Sequence, residues 1–465
     1  MKILFAMHFE PGHHLGTFRL AKELRSRGHS IAYLAIPALR ALVENQGFQF
    51  VEFAGHLFPD IPSAPASANR GSTRISKQTR AEAETLFSDY TRAIIDGTLD
   101  KSLLSTNPDL LICDSFLWYV ALRGLHLRIR TIQISTSLFS RDNSQIPPAI
   151  TPITPRDGIL SRIQILLAWK LMHLDFQFTK RLASRLSGAY RAPTRMHHLV
   201  DTFFWVAKRS NYPCRKNVTY LEDEIGAHLI LPEVVLCPRA FQFPGNIPPG
   251  RTHCGDFIDF ERTEAPLPFD PRDKTIILCS LGTSAGSYRY AAHFFTTVVK
   301  ASQQARDWFF ILHISDPVLI DRYESSPNLL VTKWLPQLSC LKHTSVMVNH
   351  GGLNSIMECV HYGVPMVILP CARDQPGNAA RAAYRNLALT AKMETTDSTD
   401  LLGLITAAMT QPGLKAGLKK MREAIEREQG LEKAITLIET APETQSENIG
   451  HPRFSHHSLS PAPLT

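Results

Sequence analysis

Trp334-Leu335-Pro336-Gln337, then His350-Gly351-Gly352-Leu353-Asn354-Ser355, Glu358, Gly363-Val364-Pro365 and Asp374-Gln375, is the stretch on which the reading of this chain turns. It contains an aromatic platform, a glycine turn opening a helix, a carboxylate, and a carboxylate beside an amide. In that order these groups suit a nucleobase, a pyrophosphate, a ribose and a sugar along one ligand. Gly351-Gly352 lets backbone come close to a phosphate. A helix beginning near Asn354 turns unpaired N–H groups and its positive dipole end to the same point. Each piece also has an ordinary explanation: Ser355-x-x-Glu358 spells a capping box, Gly363 before Pro365 a helix stop, and Trp334 a core or surface aromatic. Those explanations do not account for the order and spacing of all the pieces together.

Outward from this stretch, Val346-Met347-Val348 and Met366-Val367-Ile368-Leu369 read as buried strands, as do Thr275-Ile276-Ile277-Leu278-Cys279 and Phe309-Phe310-Ile311-Leu312, with helical patterns between them. The first half repeats the style. Ile3 to Met7 is a strand, followed by a glycine turn and a helix with Leu20, Ala21 and Leu24 inward. Arg27-Gly28-His29 stops that helix before the strand Ile31 to Ala35. Asp109 to Cys113 and Thr131 to Ile134 add parallel strands separated by a helix from Leu117 to about Leu125. The fold class is α/β with two Rossmann-like halves. Proline and glycine between Pro244 and Pro271 place a linker near 258–272, separating a first domain, 1–257, from a second, 273–440. The polar tail 441–465 is expected to be disordered, and Pro59 to Arg80 to be a surface loop.

A chain of 465 residues exceeds what one core usually serves, which agrees with two domains. Its eight cysteines are scattered without a C-x-x-C pair, so we read them as reduced thiols and not as zinc ligands. Met1 to Phe9 lacks the make-up of a signal peptide, and no run approaches the roughly 18 apolar residues needed to cross a bilayer. A cytoplasmic location is the expectation. The net charge of +8 is local: twelve Lys/Arg face three Asp between Arg156 and Lys216. No nucleic-acid motif accompanies it, so no nucleic-acid partner is expected.

The stretch from Trp334 to Gln375 resembles the sugar-nucleotide signature of the family 1 glycosyltransferases, UDP-sugar transferases of small-molecule metabolism. The resemblance implies the GT-B fold, two Rossmann-like domains facing across a cleft. It also implies a nucleotide sugar as donor substrate, with no metal and no resident cofactor. By resemblance Trp334 stacks on uracil, Gln337 meets the base edge through its backbone, and Glu358 takes the ribose hydroxyls. His350, Ser355 and the Gly352-Asn354 helix start hold the pyrophosphate, Gly282-Thr283 supply a second phosphate contact, and Asp374-Gln375 hold hydroxyls of the sugar. Leu353 and Gly351 replace the tryptophan and cysteine of plant members and point to a bacterial-type branch.

The family's catalytic histidine falls on His13, in the loop after the first strand, with His14 and His8 as fallbacks. Imidazole suits the task, because deprotonating an alcohol near neutral pH needs a base of similar pKa. Asp114 stands where the family keeps the aspartate that orients this base, although it would also serve as a helix cap. Gly16 replaces a usual proline. The implied reaction is inverting transfer of a hexose, glucose first, from UDP to a hydroxyl. The alternatives are a dTDP-deoxysugar transferase of antibiotic-type metabolites and a non-catalytic GT-B binding or partner protein. A dinucleotide oxidoreductase is disfavoured, since no G-x-G-x-x-G follows the first strand.

A hydrophobic small molecule is the expected acceptor. Ile159 to Met172 is strongly apolar and leads into the basic stretch. We read it as a buried helix with solvated flanks. The competing reading is a greasy acceptor pocket, or a peripheral membrane contact through 156–216.

Overall fold

Alternate residues of the first strand enter different cores: Ile3, Phe5 and Met7 join one cluster, Leu4 and Ala6 another. This is the two-residue repeat of a strand with both faces covered, and it explains why these strands read as continuous apolar runs. The computed structural model describes residues 1–53, 92–138, 144–185, 206–210, 212, 218–220, 227–247, 250–255, 257–283 and 285–440. The expected loop 59–80, the tail 441–465 and Cys214 lie outside them.

The first half contains β1 (Lys2–Ala6), β2 (Ser30–Ala35), β3 (Gln49–Glu52), β4 (Leu110–Asp114) and β5 (Arg130–Ser135). A short antiparallel pair, β6 (Val218–Tyr220) and β7 (Ala227–Leu229), precedes β8 (Glu233–Val235) and β9 (Arg251–His253). The main sheet has the order β3-β2-β1-β4-β5-β8-β9, with every neighbouring pair parallel. The second half contains β10 (Thr275–Ser280), β11 (Trp308–His313), β12 (Leu329–Thr332), β13 (Thr344–Asn349), β14 (Met366–Ile368) and β15 (Ala388–Thr390). Their order is β12-β11-β10-β13-β14-β15, again parallel throughout. Each sheet reverses its order beside its first strand, the switch point where doubly wound folds bind ligands beyond the carboxyl ends of the strands. The two Rossmann-like halves face a common cleft.

β3, β8, β9, β12 and β15 are absent from the sequence reading. They are three or four residues long, too short for a two-residue repeat to register; four of them are edge strands and β8 stands next to an edge. The last helix, Gly430–Thr440, returns to the first half and packs against β9 and the helix Phe18–Ser26. Arg27 Nη2 donates to Glu432 Oε2 at 2.6 Å, and Arg130 Nη2 to the carbonyl of Ile438 at 3.2 Å. One apolar cluster therefore runs from Leu24 and Phe257 through to Ile435 and Ile438.

Two expectations are corrected here. Pro11-Gly12-His13-His14-Leu15 is a short helix and not an irregular loop, because Pro11 presets the first helical φ and Gly12 O accepts from Gly16 N. The segment 159–172 is helical but not buried: Ile165 and Trp169 face inward, while Ile159, Leu160, Ile163, Leu166, Leu167 and Leu171 face outward. An all-round apolar helix normally implies burial on all sides, and here, among the described residues, only one side has a core to meet. Among the described residues no helix is long and apolar enough to cross a membrane.

Candidate active site

The carboxyl ends of the strands of both halves supply the groups that meet in the cleft. β1 leads into His8 to His13, β4 ends at Asp114, and β5 leads to Thr136. From the other side, β10 leads to Gly282, β12 to Trp334, β13 to His350 and β14 to Asp374.

Asp114 is fully buried, and its Oδ2 lies 2.7 Å from His13 Nδ1. The capping explanation holds as well, since Asp114 Oδ1 accepts from Phe116 N at 3.0 Å. One carboxylate thus fixes the chain direction after β4 and the ring of His13. Thr136 Oγ1 lies 2.9 Å from the same imidazole nitrogen. With Nδ1 engaged, Nε2 is the nitrogen left to face a reacting hydroxyl. Burial works to lower the His13 pKa, but the charges of Asp114, Glu10 and Asp374 more than offset it, and the imidazole sits above its usual 6.5. Burial also opposes ionisation of Asp114, which His13 nevertheless holds below the usual carboxylate value.

The two fallback histidines are placed otherwise. His14 turns into the first core beside Tyr33, and burial lowers its pKa to about 4. His8 flanks His13 with ring centroids 4.8 Å apart. Its Nδ1 accepts from Glu10 N at 3.4 Å, and burial brings its pKa to about 4.

Across the cleft, Gly352 is the N-cap of the helix Leu353–Tyr362 and makes no side-chain cap bond. The capping-box reading of Ser355 and Glu358 therefore fails. Ser355 meets Gln337 Nε2 at 3.4 Å, and Glu358 meets Gln337 and Arg262. Gly363, at φ 69°, is the left-handed C-cap, so the helix-stop reading holds there. Gly351 has φ 91° and is held from both sides: its N–H donates to Asn349 Oδ1 at 2.8 Å, and its carbonyl accepts from Asn378 Nδ2 at 3.0 Å. The His350 ring fills the space beside the neighbouring glycines. A Cβ on Gly282 would come within 2.8 Å of it, and one on Gly352 within 2.9 Å. Burial lowers the His350 pKa to about 4, so the ring is neutral at ordinary pH.

Trp334 is 73% exposed, which removes the core-aromatic reading and leaves a free ring face next to Gln337. Glu358 is buried, and burial raises its pKa although Arg262 and Gln337 pull it down. Arg262 and Glu264 come from the stretch read as linker. Glu264 accepts from Leu338 N at 3.2 Å and Ser339 N at 2.7 Å, fastening the start of the helix Gln337–Leu341. Thr283 is exposed. Asp374 accepts from Asn378 at 3.0 Å, and burial raises its pKa. Gln375 beside it is buried and fully engaged. Its Oε1 accepts from Cys371 N and Ala372 N, and its Nε2 donates to Tyr288 OH at 2.9 Å, holding the loop after β14 in shape.

Contacts among the described residues cross the cleft at this point. Asn354 Nδ2 donates to Gly12 O at 3.0 Å, and Arg373 Nη1 reaches Glu10 Oε1 at 2.9 Å. The stretch leading to His13 is thereby tied both to the helix start after β13 and to the loop after β14. Glu10, Thr136, Arg262, Glu264 and Arg373 escape sequence reading because each acts through a residue distant in the chain. Glu10 also bears on His13. Replacing Glu10 by Gln removes a negative charge that helps hold His13 protonated, so the acid limb of any rate profile that depends on neutral His13 is expected to move to lower pH. An unmoved limb in Glu10→Gln would remove Glu10 from the electrostatics of the site.

Among the described residues no cluster of three or more His, Cys, Asp or Glu side chains is placed to hold a metal ion.

Residues 314–435 match the family described as UDP-glucoronosyl and UDP-glucosyl transferase. The NDP-glycosyltransferase YjiC of Bacillus subtilis (strain 168) is 26% identical over 216 residues, covering 45% of this chain and 54% of the relative. The chain spans from 14% to about half of the length of the first curated relatives it matches. Among solved structures, the glycotransferase of kitacinnamycin aligns with a TM-score of 0.67 at 22% identity, covering 94% of this chain and 98% of the other. The glycosyltransferase VinC, solved in complex with dTDP, aligns with a TM-score of 0.59 at 18% identity, covering 94% and 98%. The chain has the GT-B fold and is related to bacterial nucleotide-sugar-dependent glycosyltransferases.

Proposed function

We propose that this protein is an inverting glycosyltransferase that moves a sugar from a nucleoside diphosphate to a hydroxyl of a hydrophobic small molecule. The observation that carries the reading is the His13–Asp114 pair on one wall of the cleft, opposite the uncapped helix start at Gly352. His13 Nε2 takes the proton of the acceptor hydroxyl while that oxygen forms its bond to the anomeric carbon. The bond from that carbon to the diphosphate breaks on the far side, so configuration inverts. Asp114 steadies the imidazolium as it forms. The leaving diphosphate gains negative charge beside the free N–H groups of the Leu353–Tyr362 helix, a contact stronger in the transition state than in the ground state. Trp334 stacks on the base, Glu358 takes the ribose, Asp374 takes a sugar hydroxyl, and no metal is needed.

For the donor, a dTDP-deoxysugar is supported better than UDP-glucose. The amide of the expected carboxylate–amide pair is already engaged, Oε1 by Cys371 N and Ala372 N and Nε2 by Tyr288 OH, which leaves Asp374 as the sugar contact in this reading. A deoxysugar presents fewer hydroxyls to satisfy. VinC, which aligns over nearly the whole chain, was solved with dTDP, whereas the UDP-sugar family matches only residues 314–435.

Nucleoside diphosphate release from a panel of UDP- and dTDP-sugars, without acceptor and in EDTA, tests this. Release from dTDP-deoxysugars that disappears in His350→Ala is expected. Preferential release from UDP-glucose would restore the hexose reading, and absence of both release and nucleotide binding would leave a non-catalytic GT-B protein.

A further inference from the structure

The helix Ile159–Arg185 carries two apolar faces along its first half. Ser161, Ile165 and Trp169 follow a four-residue spacing on the buried face, and Trp169 Nε1 donates to Ile146 O at 3.0 Å. The other face consists of Ile159, Leu160, Ile163, Leu166, Leu167 and Leu171, between 46 and 80% exposed. At the helical repeat these six fall within an arc of about 140°. Single exposed leucines are ordinary, but six on one helix face are not.

The charges along this face restrict what covers it. Arg156, Arg162 and Lys170 are exposed along the same stretch, with Asp157 as its one acid. The sequence from Arg156 to Lys216 carries twelve basic residues against three acidic ones. A second copy of the chain would bring this patch against itself across a two-fold axis, setting cations against cations with no acid on the helix face to pair them. An anionic lipid surface suits both features. Leucine and isoleucine side chains enter the acyl boundary, while arginine and lysine reach phosphate headgroups over their own apolar stems.

We infer that the outward face of Ile159–Met172 rests on an anionic membrane surface and holds the protein there peripherally. The inference stands on this helix alone and does not depend on the transferase reading. If that reading also holds, the surface would deliver lipophilic acceptors near the cleft. The loop that anchors Trp169 through Ile146 also accepts from Gly377 N, through Ala149 O at 2.9 Å, beside the sugar loop.

Co-sedimentation of the full chain with vesicles of phosphatidylcholine, alone or mixed with phosphatidylglycerol, tests it. Binding is expected to the anionic vesicles only and to weaken with salt. It should fall at least about tenfold in both Leu160→Asp/Leu167→Asp and Arg162→Glu/Lys170→Glu. All four positions are exposed, so circular dichroism should show unchanged melting in both variants. No sedimentation with anionic vesicles, or undiminished sedimentation of the two variants, would overturn the proposal. Concentration-dependent dimerisation abolished by Leu160→Asp/Leu167→Asp, without vesicle binding, would assign the face to a second copy instead.

Discussion

His13→Ala is expected to lower sugar transfer by about 10²- to 10⁴-fold, the range that a positioned general base contributes, while nucleoside diphosphate still binds. The separation follows from geometry: His13 hangs from the first half, and the proposed nucleotide contacts belong to the second. Calorimetric titration of the variant with dTDP and UDP, beside single-turnover rates, distinguishes loss of chemistry from loss of fold. Wild-type rates in His13→Ala would remove it as the base.

The pH dependence carries a sign. His13 accepts a proton only when neutral, and its pKa lies above 6.5, so transfer should fall as pH drops through that raised value. Asp114→Asn removes the strongest upward influence on His13. The acid limb should then move to lower pH even as the plateau rate drops for want of a partner to the forming imidazolium. A purely structural Asp114, acting only as the cap of Phe116 N, would lower stability without moving the limb.

Gly377→Ala should cost about 10²-fold in turnover although residue 377 touches no proposed substrate atom. Its N–H donates to Ala149 O at 2.9 Å, and a Cβ there would stand 2.1 Å from that oxygen and 2.8 Å from its carbonyl carbon. Backbone is in the way, so no side-chain rotation relieves the clash. Either the helix Gln375–Tyr384 or the loop carrying Ala149 must move by about 1 Å, the scale of misplacement that spoils attack geometry. Asp374 is the N-cap of that helix, so the contact proposed for the sugar moves with it. Turnover is expected to fall further than nucleotide affinity, because the proposed base and phosphate contacts lie on other elements. Gly403→Ala is the matched control: nothing lies within 4 Å of its added Cβ in the helix Ser398–Thr410, and it should stabilise by about 0.5–1 kcal/mol. Equal rates in the two variants would show that the approach at Ala149 is not tight in solution.

The long central strands and the two-half doubly wound architecture were legible in the sequence, as was the glycine turn before the helix Leu353–Tyr362. The physical reason is that these signals are local. A strand buried on both faces is a continuous apolar run, and a turn with left-handed backbone favours glycine, as at Gly351, where φ is 91°. The His13–Asp114 pairing came from the family resemblance, and its geometry from the fold: the two residues lie 101 positions apart and meet because β1 and β4 are neighbours. What the sequence could not supply depends on packing. Gln375 and Asp374 are adjacent in the chain, yet one holds its own loop and the other stands near His13 across the cleft. Arg262 and Glu264, in a stretch without periodicity, reach Glu358 and the Gln337 helix only because the connection folds back over the second half. The apolar segment 159–172 looked like core because hydrophobicity says that a side chain avoids water, not whether a partner exists on that side. Only the tertiary structure shows that Ile165 and Trp169 found one and that Leu160 and Leu167 did not.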